Sequence, residues 1–551
     1  MTDIDIPLGK RTKSYRFFEM LPGIISYGTI TALVLLSFLT VFIPTPGGGI
    51  TLNIGSVFVL LIVIIMFVKA LAMAFRTIQG YVVFHRTQKI DWDRRLADLA
   101  DPKVQLQKYT DDSRFKEPYW EHHLSNLSRV SELPGEFPEP DQIHHGVFIF
   151  VYNESYEVVA PTVRALKTSK YDMKRLLVVL AYEQRGGPET EATINKILKE
   201  FKGDFGDIMA FRHPEGIPDE VIGKGSNATY AGKKFAAYIK KQKINPDDVI
   251  VTTLDADNRV DPAYFSYLTY EWIVTPNRQR VSFQPICLFT NNIWDVPGPM
   301  RVVATGNSFW NIISSMRPHL LRNFASHAQG LSALIAMNFW STRTIVEDGH
   351  QYYRSYFYFD GDYSVVPIRV AVGQDAVLSG TYWKSFVAQF KQVRRWAYGA
   401  SDVAYVAKNL FNRNRRARFW PTFTRWVRLL DSHVTQAIIA PVVAFGGWIP
   451  LLINPNAPLD IMTHELPVLI GSIQQVAMVG IIVTIFVSFV MLPPRPARYK
   501  KSKNILLVLQ WVLMPVTAIF YSSASAFYSQ TRLLLGKYIN VFEVTDKATK
   551  E

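Results

Sequence analysis

Long apolar segments lie near both ends of the chain, and short apolar segments alternate with polar ones between them. Five segments are long enough to cross a bilayer, which takes about 20 apolar residues, and they are roughly 24–44, 51–75, 432–454, 465–492 and 504–528. The first lacks a small-x-small cleavage site and the second follows it closely. The two therefore predict a membrane hairpin rather than a signal peptide.

The central region has the pattern of an α/β domain. Apolar runs that predict buried strands occur at 147–151, 176–180, 208–211 and 249–254. Helical patterns separate them near 157–168, 189–202 and 226–241. Strands that are apolar throughout and alternate with helices imply a parallel sheet covered on both faces. Such sheets bind ligands beyond the carboxyl ends of their strands.

The distribution of positive charge predicts how the chain is oriented in a membrane. The net charge is +14, and much of the excess lies beside the apolar segments. No nucleic-acid-binding module is visible. Positive charge favours the cytoplasmic side of a membrane, so we expect 76–431 and the basic loop 493–503 in the cytoplasm. The loop 455–464 has no Lys or Arg and fits the outside.

The C-terminal end gives two conflicting signals. A last full span would put the tail outside, yet the tail carries Arg532, Lys537, Lys547 and Lys550. Pro515 could mark a broken or re-entrant segment. The side of the C-terminus therefore stays open.

Length and composition predict several folding units and a reducing environment for the central one. The 551 residues exceed one ordinary core. The single cysteine, Cys287, excludes an intrachain disulfide and a cysteine-rich metal site. The histidines show no metal-binding spacing, and we expect the adjacent pairs at 122–123 and 144–145 on the surface or in loops. The expected organisation is an N-terminal tail and transmembrane hairpin (1–75), a juxtamembrane segment and linker (76–140), a cytosolic α/β domain (141–400), an interfacial segment (401–431), C-terminal transmembrane helices (432–530) and a tail (531–551).

Asp255 and Asp257 follow the apolar run 249–254 directly. Residues two apart on a strand face the same side, so both carboxylates can reach one ligand. Carboxylates together with substrate phosphates are the usual ligands of Mg²⁺ or Mn²⁺. Alone, an Asp-x-Asp triplet is more often a solvated turn.

Two further polar positions precede or follow predicted elements of the sheet. Glu183 comes after the second strand and could bind a nucleobase edge or be a solvated loop acid. Lys224 lies in a Gly-Lys-Gly sequence at a helix start, where backbone donors and the lysine could meet a diphosphate. An ordinary helix entry is the alternative. The dinucleotide fingerprint is disfavoured because 218–222 is a poor strand.

Glu347 and Asp348 stand before a helical stretch, with Arg354 following. Acids at a helix start are favoured by the helix dipole in any case. The functional interpretation makes Asp348 a general base that takes a proton from an acceptor hydroxyl.

Gln392, Arg395 and Trp396 share one helix face, because they are spaced i, i+3 and i+4. An amide, a guanidinium and an indole together suit a sugar-phosphate ligand. An interfacial helix that touches lipid headgroups is the alternative, and the nearby Lys384 and Trp383 favour it for this motif alone.

The order of these motifs along the chain is a specific signal, whereas each motif alone is a weak one. An Asp-x-Asp strand end, a Glu-Asp pair about 90 residues on and a Q-x-x-R-W sequence about 45 residues later lie within 146–396. With the flanking apolar segments, this resembles the inverting family-two glycosyltransferases, especially cellulose, chitin and hyaluronan synthases. The resemblance implies a Rossmann-like, nucleotide-sugar-binding domain of the GT-A type with flanking transmembrane helices.

The resemblance also implies roles for the residues. Asp255 and Asp257 match the motif for Mg²⁺ or Mn²⁺ and the donor diphosphate. Asp348, next to Glu347, matches the catalytic base, and Arg354 the arginine that trails it. The remaining matches are implied to bind substrate and are Glu183 (where the family usually has an aspartate), Lys224, Gln392, Arg395 and Trp396.

We therefore expect a metal-dependent inverting hexosyl- or N-acetylhexosaminyl-type transferase in the plasma or inner membrane. Its donor would be a nucleotide sugar, most readily a UDP-sugar, its acceptor a glycan or lipid-linked molecule, and its product a β-linked polysaccharide. A single transfer to a lipid carrier is the main alternative, and a non-catalytic scaffold or transporter a further one. The segment 324–335 does not match the usual Gly-rich acceptor segment, so the acceptor stays open.

Overall fold

A computed structural model of the chain describes residues 4–46, 48–111, 117–454 and 461–543. The strands are β1 (Thr40–Thr45), β2 (Gly48–Asn53), β3 (His144–Val151), β4 (Leu176–Glu183), β5 (Asp207–His213), β6 (Val249–Asp255), β7 (Arg259–Val260), β8 (Val281–Leu288), β9 (Ala328–Gly330) and β10 (Ser364–Gly373). The α-helices are α1 (Lys13–Leu36), α2 (Ile54–Thr87), α3 (Trp92–Asp98), α4 (Pro102–Asp111), α5 (Trp120–Glu132), α6 (Tyr156–Leu166), α7 (Gly187–Glu200), α8 (Lys224–Lys241), α9 (Tyr264–Val274), α10 (Gly298–Ser315), α11 (Leu331–Ala336), α12 (Glu347–Tyr358), α13 (Tyr382–Ala397), α14 (Asp402–Leu410), α15 (Phe419–Phe445), α16 (Ile449–Ile453), α17 (Ile461–Val490), α18 (Lys503–Leu509), α19 (Met514–Thr517) and α20 (Ala524–Leu534).

The predicted α/β character is confirmed by a mixed, eight-stranded sheet. Its order is β5-β4-β3-β6-β9-β8-β10-β7, and the four predicted strands are the four neighbouring parallel strands β5, β4, β3 and β6. The short strand β9 runs antiparallel to both β6 and β8, while β8 and β10 are parallel. The chain moves outward from β3 to β5 and then crosses to β6, which places a switch point between β3 and β6.

The strands are apolar on both faces because helices cover both. Along β3, Val147, Ile149 and Val151 pack on the side of α6, α7 and α9. Phe148 and Phe150 pack on the side of α8 and α11. Helix α8 lies so close to β3 that a Cβ on Gly146 would stand 2.7 Å from the Phe235 ring. This two-sided burial explains the unbroken apolar runs of the sequence.

Four helices of the described residues are long and apolar enough to cross a membrane, one fewer than predicted. They are Lys13–Leu36, Ile54–Thr87, Thr463–Val490 and Lys503–Leu534. The predicted segment 432–454 is not among them and is divided between α15, which ends at Phe445, and the short helix α16. The predicted segment 24–44 is also corrected: α1 ends at Leu36, and 40–45 pairs with β2 in a hairpin.

The last apolar segment is helical throughout but changes type around Pro515. A 3-10 turn at Gln510–Leu513 precedes the proline, and a π-helical stretch at Ala518–Ser523 follows it. A proline lacks the N–H that a regular helix needs, which accounts for the change. Of the other predicted features, loop residues 455–460 and the tail residues Lys547 and Lys550 lie outside the described residues.

One histidine of each adjacent pair is buried, contrary to the expectation from sequence. His123 contacts the Tyr270 hydroxyl at 3.0 Å and Asp98 at 3.1 Å. His145 contacts the Thr269 hydroxyl at 2.8 Å. Both are core residues with polar partners.

Candidate active site

An open cleft lies at the carboxyl edge of the sheet, beside the switch point between β3 and β6. Its lining comes from the ends of β3, β4 and β6, the first turn of α8, the last turns of α13 and the chain after α20. The lining residues are Phe150, Val151, Tyr152, Glu154, Glu183, Lys224, Asn227, Asp255, Ala256, Asp257, Phe289, Ala325, Gln374, Asp375, Gln392, Arg395, Trp396 and Phe542.

Most of the predicted site residues meet in this cleft. Those that line it are Glu183, Lys224, Asp255, Asp257, Gln392, Arg395 and Trp396. Glu347 and Asp348 lie immediately behind its lysine, and Arg354 lies farther along the same helix. Residues that are far apart in the sequence thus form one surface.

Lys224 and Asp255 form the central ion pair of the cleft. The Lys224 Nζ donates to Asp255 Oδ1 at 2.7 Å and lies 3.8 Å from Glu347 Oε1. Burial opposes the lysine's charge, but Asp255, Glu347 and then Asp348 outweigh it and raise the pKa of Lys224 above its ordinary value. The ammonium group therefore stays charged, and its attraction for the three carboxylates holds them close together.

Asp257 is more deeply buried than Asp255. Its Oδ2 accepts the backbone N–H of Asp375 at 2.7 Å. Its carbonyl oxygen accepts from Asn291 Nδ2 at 2.8 Å. These contacts fix the chain just beyond β6, so the two carboxylates keep their places relative to the cleft.

Glu347 and Asp348 form the first turn of α12. Glu347 is buried and Asp348 half-buried. Burial, followed by the neighbouring charge of Asp348, raises the pKa of Glu347 to about 8. Asp348 Oδ1 accepts the backbone N–H of Gly349 at 2.7 Å, in the first turn of the helix, where carboxylates are favoured.

Helix α13 brings Gln392, Arg395 and Trp396 to the cleft on one face, as their spacing predicts. Gln392 Oε1 accepts from Gln389 at 3.0 Å. Burial lowers the pKa of Arg395, while Asp255 and Glu347 oppose that effect. Trp396 lies with its ring centroid 6.3 Å from that of Phe289, and the two rings offer apolar faces beside the polar groups.

Glu183 lines the cleft but is held in an internal ion pair with Arg185, which the sequence analysis did not single out. The Arg185 guanidinium also lies 3.9 Å from the centre of the Tyr152 ring, another lining residue. A ligand that reaches Glu183 therefore meets a carboxylate, a guanidinium and an aromatic ring together.

Arg354 does not line the cleft. It is buried, and its guanidinium donates to the carbonyl oxygens of Phe339 at 2.5 Å and Met337 at 3.0 Å. The structure places it on the side of α12 that faces the protein interior, where it holds the loop before the two acids.

Phe542 is a lining residue that the sequence analysis missed. Its backbone N–H donates to the carbonyl of Ile222 at 2.9 Å, and its ring lies 3.8 Å from the Arg395 guanidinium. Arg395 Nη1 donates to the Glu543 carbonyl at 2.9 Å. No local pattern indicates this position, because it depends on the path of the chain after α20.

The chemistry of the cleft fits a divalent metal with substrate phosphates, although it does not form a complete metal cage. Among the described residues there is no group of three or more His, Cys, Asp or Glu that could hold a metal ion. Asp255 and Asp257 both offer oxygen ligands to the cleft. Two carboxylates completed by phosphate oxygens and water are a common arrangement for Mg²⁺.

Comparison with known proteins gives remote structural similarities only. No model of a known protein family matches the chain, and no curated protein sequence matches it. A mannosyltransferase from Pyrobaculum calidifontis in complex with GDP-Man and Mn²⁺ is 12% identical over 81% of this chain and 100% of its own, with a TM-score of 0.38. A fragment of S. aureus TarS in complex with UDP-GlcNAc is 12% identical over 72% of this chain and 93% of its own, with a TM-score of 0.36. GalNAc-T7 with UDP, GalNAc and Mn²⁺ is 10% identical over 58% and 64%, with a TM-score of 0.29.

Proposed function

We propose that the chain is a membrane-bound glycosyltransferase that moves a sugar from a nucleotide-diphosphate sugar to an acceptor hydroxyl. The observation that carries this proposal is the convergence of two cations, Lys224 and Arg395, with an Asp-x-Asp pair in one cleft at the switch point. The order of the sequence motifs, which resembles the family-two inverting transferases, supports the same assignment.

The cations are suited to a diphosphate leaving group. Lys224 opens α8, and an N-terminal helix turn favours anions. Arg395 approaches from α13 and can form paired hydrogen bonds to phosphate oxygens. We expect Asp255 and Asp257 to hold a Mg²⁺ or Mn²⁺ ion, which when bound would neutralise negative charge on the diphosphate.

We assign the general base to Asp348, because it is the more exposed of the two acids that begin α12. Glu347 is the more buried of the two and burial raises its pKa, so we give it a supporting role. Asp348 would take the proton from the acceptor hydroxyl while the oxygen attacks the anomeric carbon and the diphosphate leaves. One displacement of this kind inverts the configuration and needs no covalent enzyme intermediate.

The finer features of the proposal follow from the resemblance and from the charge pattern. They are a UDP-sugar donor, a β-linked glycan product and a cleft on the cytoplasmic side of the plasma or inner membrane. The four long apolar helices support attachment to a membrane. Trp396 and Phe289 offer apolar ring faces to a sugar, which suits a glycan acceptor.

The test is turnover by membrane-reconstituted protein against a panel of nucleotide sugars, with Mg²⁺ or Mn²⁺ and with sizing of the product. We expect one donor to be consumed and a β-linked product to form. A product with only one sugar added to a lipid acceptor would show that the protein makes a single transfer and does not synthesise a polymer. Absence of turnover with every donor would contradict the proposal.

A pair of variants sharpens this test. Asp348→Asn should keep nucleotide binding and lose about 10²-fold or more of the turnover, because general-base catalysis contributes on that order. Asp141→Asn, a change at an exposed carboxylate far along the chain from the acids, is the matched control and should leave turnover unchanged. Full activity in Asp348→Asn would overturn the base assignment.

A further inference from the structure

The segment that precedes α1 is built into the interior of the α/β region. Ile6 is buried among the aromatic residues of α12. Arg343 Nη1 donates to the Ile6 carbonyl at 2.7 Å, and the Tyr405 hydroxyl donates to the Ile4 carbonyl at 2.5 Å. The segment therefore occupies a binding site formed by the loop before α12, through Arg343, and by α14, through Tyr405. We call this binding site the seat.

Asp5 places a carboxylate at the centre of this seat. Its Oδ1 accepts from the Ser341 hydroxyl at 2.7 Å. The same oxygen lies 3.4 Å from His350 Nε2, and Oδ2 lies 3.7 Å from Arg354 Nε. One side chain thus connects the loop before α12 with two successive turns of that helix.

The opposite side of His350 is also held by an acid. His350 Nδ1 lies 2.6 Å from Asp402 Oδ1, on α14. Burial would lower the pKa of His350, but Asp402 and Asp5 outweigh it and raise the pKa to about 9. The imidazolium is therefore clamped between two carboxylates, and the charges of Asp5, His350, Arg354 and Asp402 offset one another inside the protein.

We propose that Asp5 is a positioning residue for the two acids at the start of α12. His350 follows Asp348 by two residues, so the clamp acts within the first turns of the helix. Ser341 is the second link, because its carbonyl lies against Gly225 of α8, next to Lys224. Asp5 thereby fixes Glu347 and Asp348 relative to the lysine of the cleft. The inference rests on the proposed glycosyl transfer.

The residues that we expect to bind the donor lie on other elements. Lys224 belongs to α8, Asp255 to β6 and Arg395 to α13. Loss of Asp5 should therefore leave donor binding nearly intact and misplace the base. This separation distinguishes a positioning role from a general loss of structure.

The first experiment measures kcat, donor KM and nucleotide affinity for three proteins. Asp5→Asn should lower kcat by about ten- to hundredfold, because small displacements of catalytic groups cost that much, with donor KM and nucleotide Kd within about twofold of wild type. Leu8→Asn, a change at an exposed residue of the same segment, is the control and should behave as wild type. Unchanged kcat in Asp5→Asn, or a parallel loss of nucleotide binding, would overturn the inference.

The second experiment supplies the segment as a separate molecule. In a variant that lacks residues 2–8 and keeps the rest of the chain, a synthetic peptide of residues 2–10 should restore kcat in a saturable manner. The same peptide with Asp5→Asn should not. Restoration by both peptides, or by neither, would contradict a role for the carboxylate.

Peptide binding separates the two proposals. If wild-type protein transfers no sugar, the proposed function fails, and binding of a labelled peptide to the shortened protein still reports on the seat. Binding that depends on Asp5 would keep the structural part of the inference. Equal binding of the two peptides would remove it.

Discussion

At the scale of the residue, Lys224 is the side chain on which the cleft depends most. Three carboxylates act on its charge, from Asp255, Glu347 and Asp348. If the lysine were neutral, these acids would repel one another in a half-buried site. The lysine therefore both attracts a diphosphate and keeps the acids together before one binds.

Replacement of this lysine should weaken nucleotide binding strongly. A charged hydrogen bond contributes about 1.5–3 kcal/mol, so Lys224→Met should raise the Kd of a nucleoside diphosphate by roughly 10- to 150-fold. Titration calorimetry measures this directly. Lys233→Met, an exposed position on the same helix, should leave the Kd unchanged, and equal affinities for the two variants would remove Lys224 from the binding site.

The sequence predicts the residues of this site better than their partners. Asp255 and Lys224 were found because a strand end and a helix start are local features. Arg185 is not predicted although it lies only two residues from its partner Glu183, because no sequence pattern marks that pair. Phe542 is not predicted because its place depends on a contact with the distant Ile222. The interior position of Arg354 has the same origin, because only the folded chain brings the carbonyls of 337 and 339 to its guanidinium.

At the scale of the element, the starts of α8 and α12 pack directly against each other. A Cβ added to Gly225 would lie 2.4 Å from the Ser341 carbonyl oxygen and 2.9 Å from Glu347 Cβ. The glycine therefore sets the spacing between the helix that carries the lysine and the helix that carries the acids.

Gly225→Ala should separate these two helices. Overpacking costs about 1–3 kcal/mol, and a shifted acid should lower kcat by about tenfold or more. Gly349→Ala is the matched control, because a Cβ there meets nothing within 4 Å and the intrinsic gain in helix propensity is the same. Steady-state kinetics of the two variants gives the comparison, and equal kcat values would contradict the packing argument.

The clamp on His350 should make stability depend on pH. Its pKa is raised from 6.5 to about 9 in the folded protein, so its contribution, roughly 3 kcal/mol, is complete below pH 6.5. It is lost as the pH rises through 9. Thermal unfolding in detergent between pH 6.5 and 10 should show this fall, and His350→Gln should flatten it. An equally steep fall in the variant would assign the effect to other groups, such as Glu347.

The elements were predictable where burial is two-sided and unbroken. Strands β3, β4 and β6 are buried in this way and follow from their apolar runs, whereas β5 is a half-buried edge strand with a shorter run. Strands β8 and β10 were not predicted, because each contains a proline, Pro285 and Pro367, which argues against a central strand. A bulge after Ile368 accommodates this irregular pairing. Strand β9 has three residues and no pattern of its own.

At the scale of the whole molecule, the first and last of the long apolar helices are joined by partly buried polar contacts. Glu19 of α1 forms ion pairs with Arg11 and Arg16, and it accepts from the Tyr538 hydroxyl at 3.0 Å. Arg16 also donates to the Leu533 carbonyl, at 3.0 Å. The first apolar helix and the chain beyond α20 are therefore tied together beside the cleft.

The orientation of the chain in a membrane can be read from cysteine labelling. The single cysteine, Cys287, is buried and can be replaced by serine. A new cysteine at the exposed Thr51 of the β1–β2 hairpin should react with an impermeant maleimide in intact cells, whereas one at the exposed Asp141 should react only after lysis. The reverse result would contradict the cytoplasmic placement of the cleft.

The seat of Asp5 has a consequence for the order in which the protein matures. Asp5 leaves the ribosome almost 400 residues before Asp402, the acid on the other side of His350. At translation rates of about 5–20 residues per second this interval is roughly 20–80 s. The first apolar helix emerges long before the seat exists, so the segment in front of it must wait unbound during synthesis. Completion of this part of the interior is thus a late event of biogenesis, because Asp5 can dock only after its distant partners have been made.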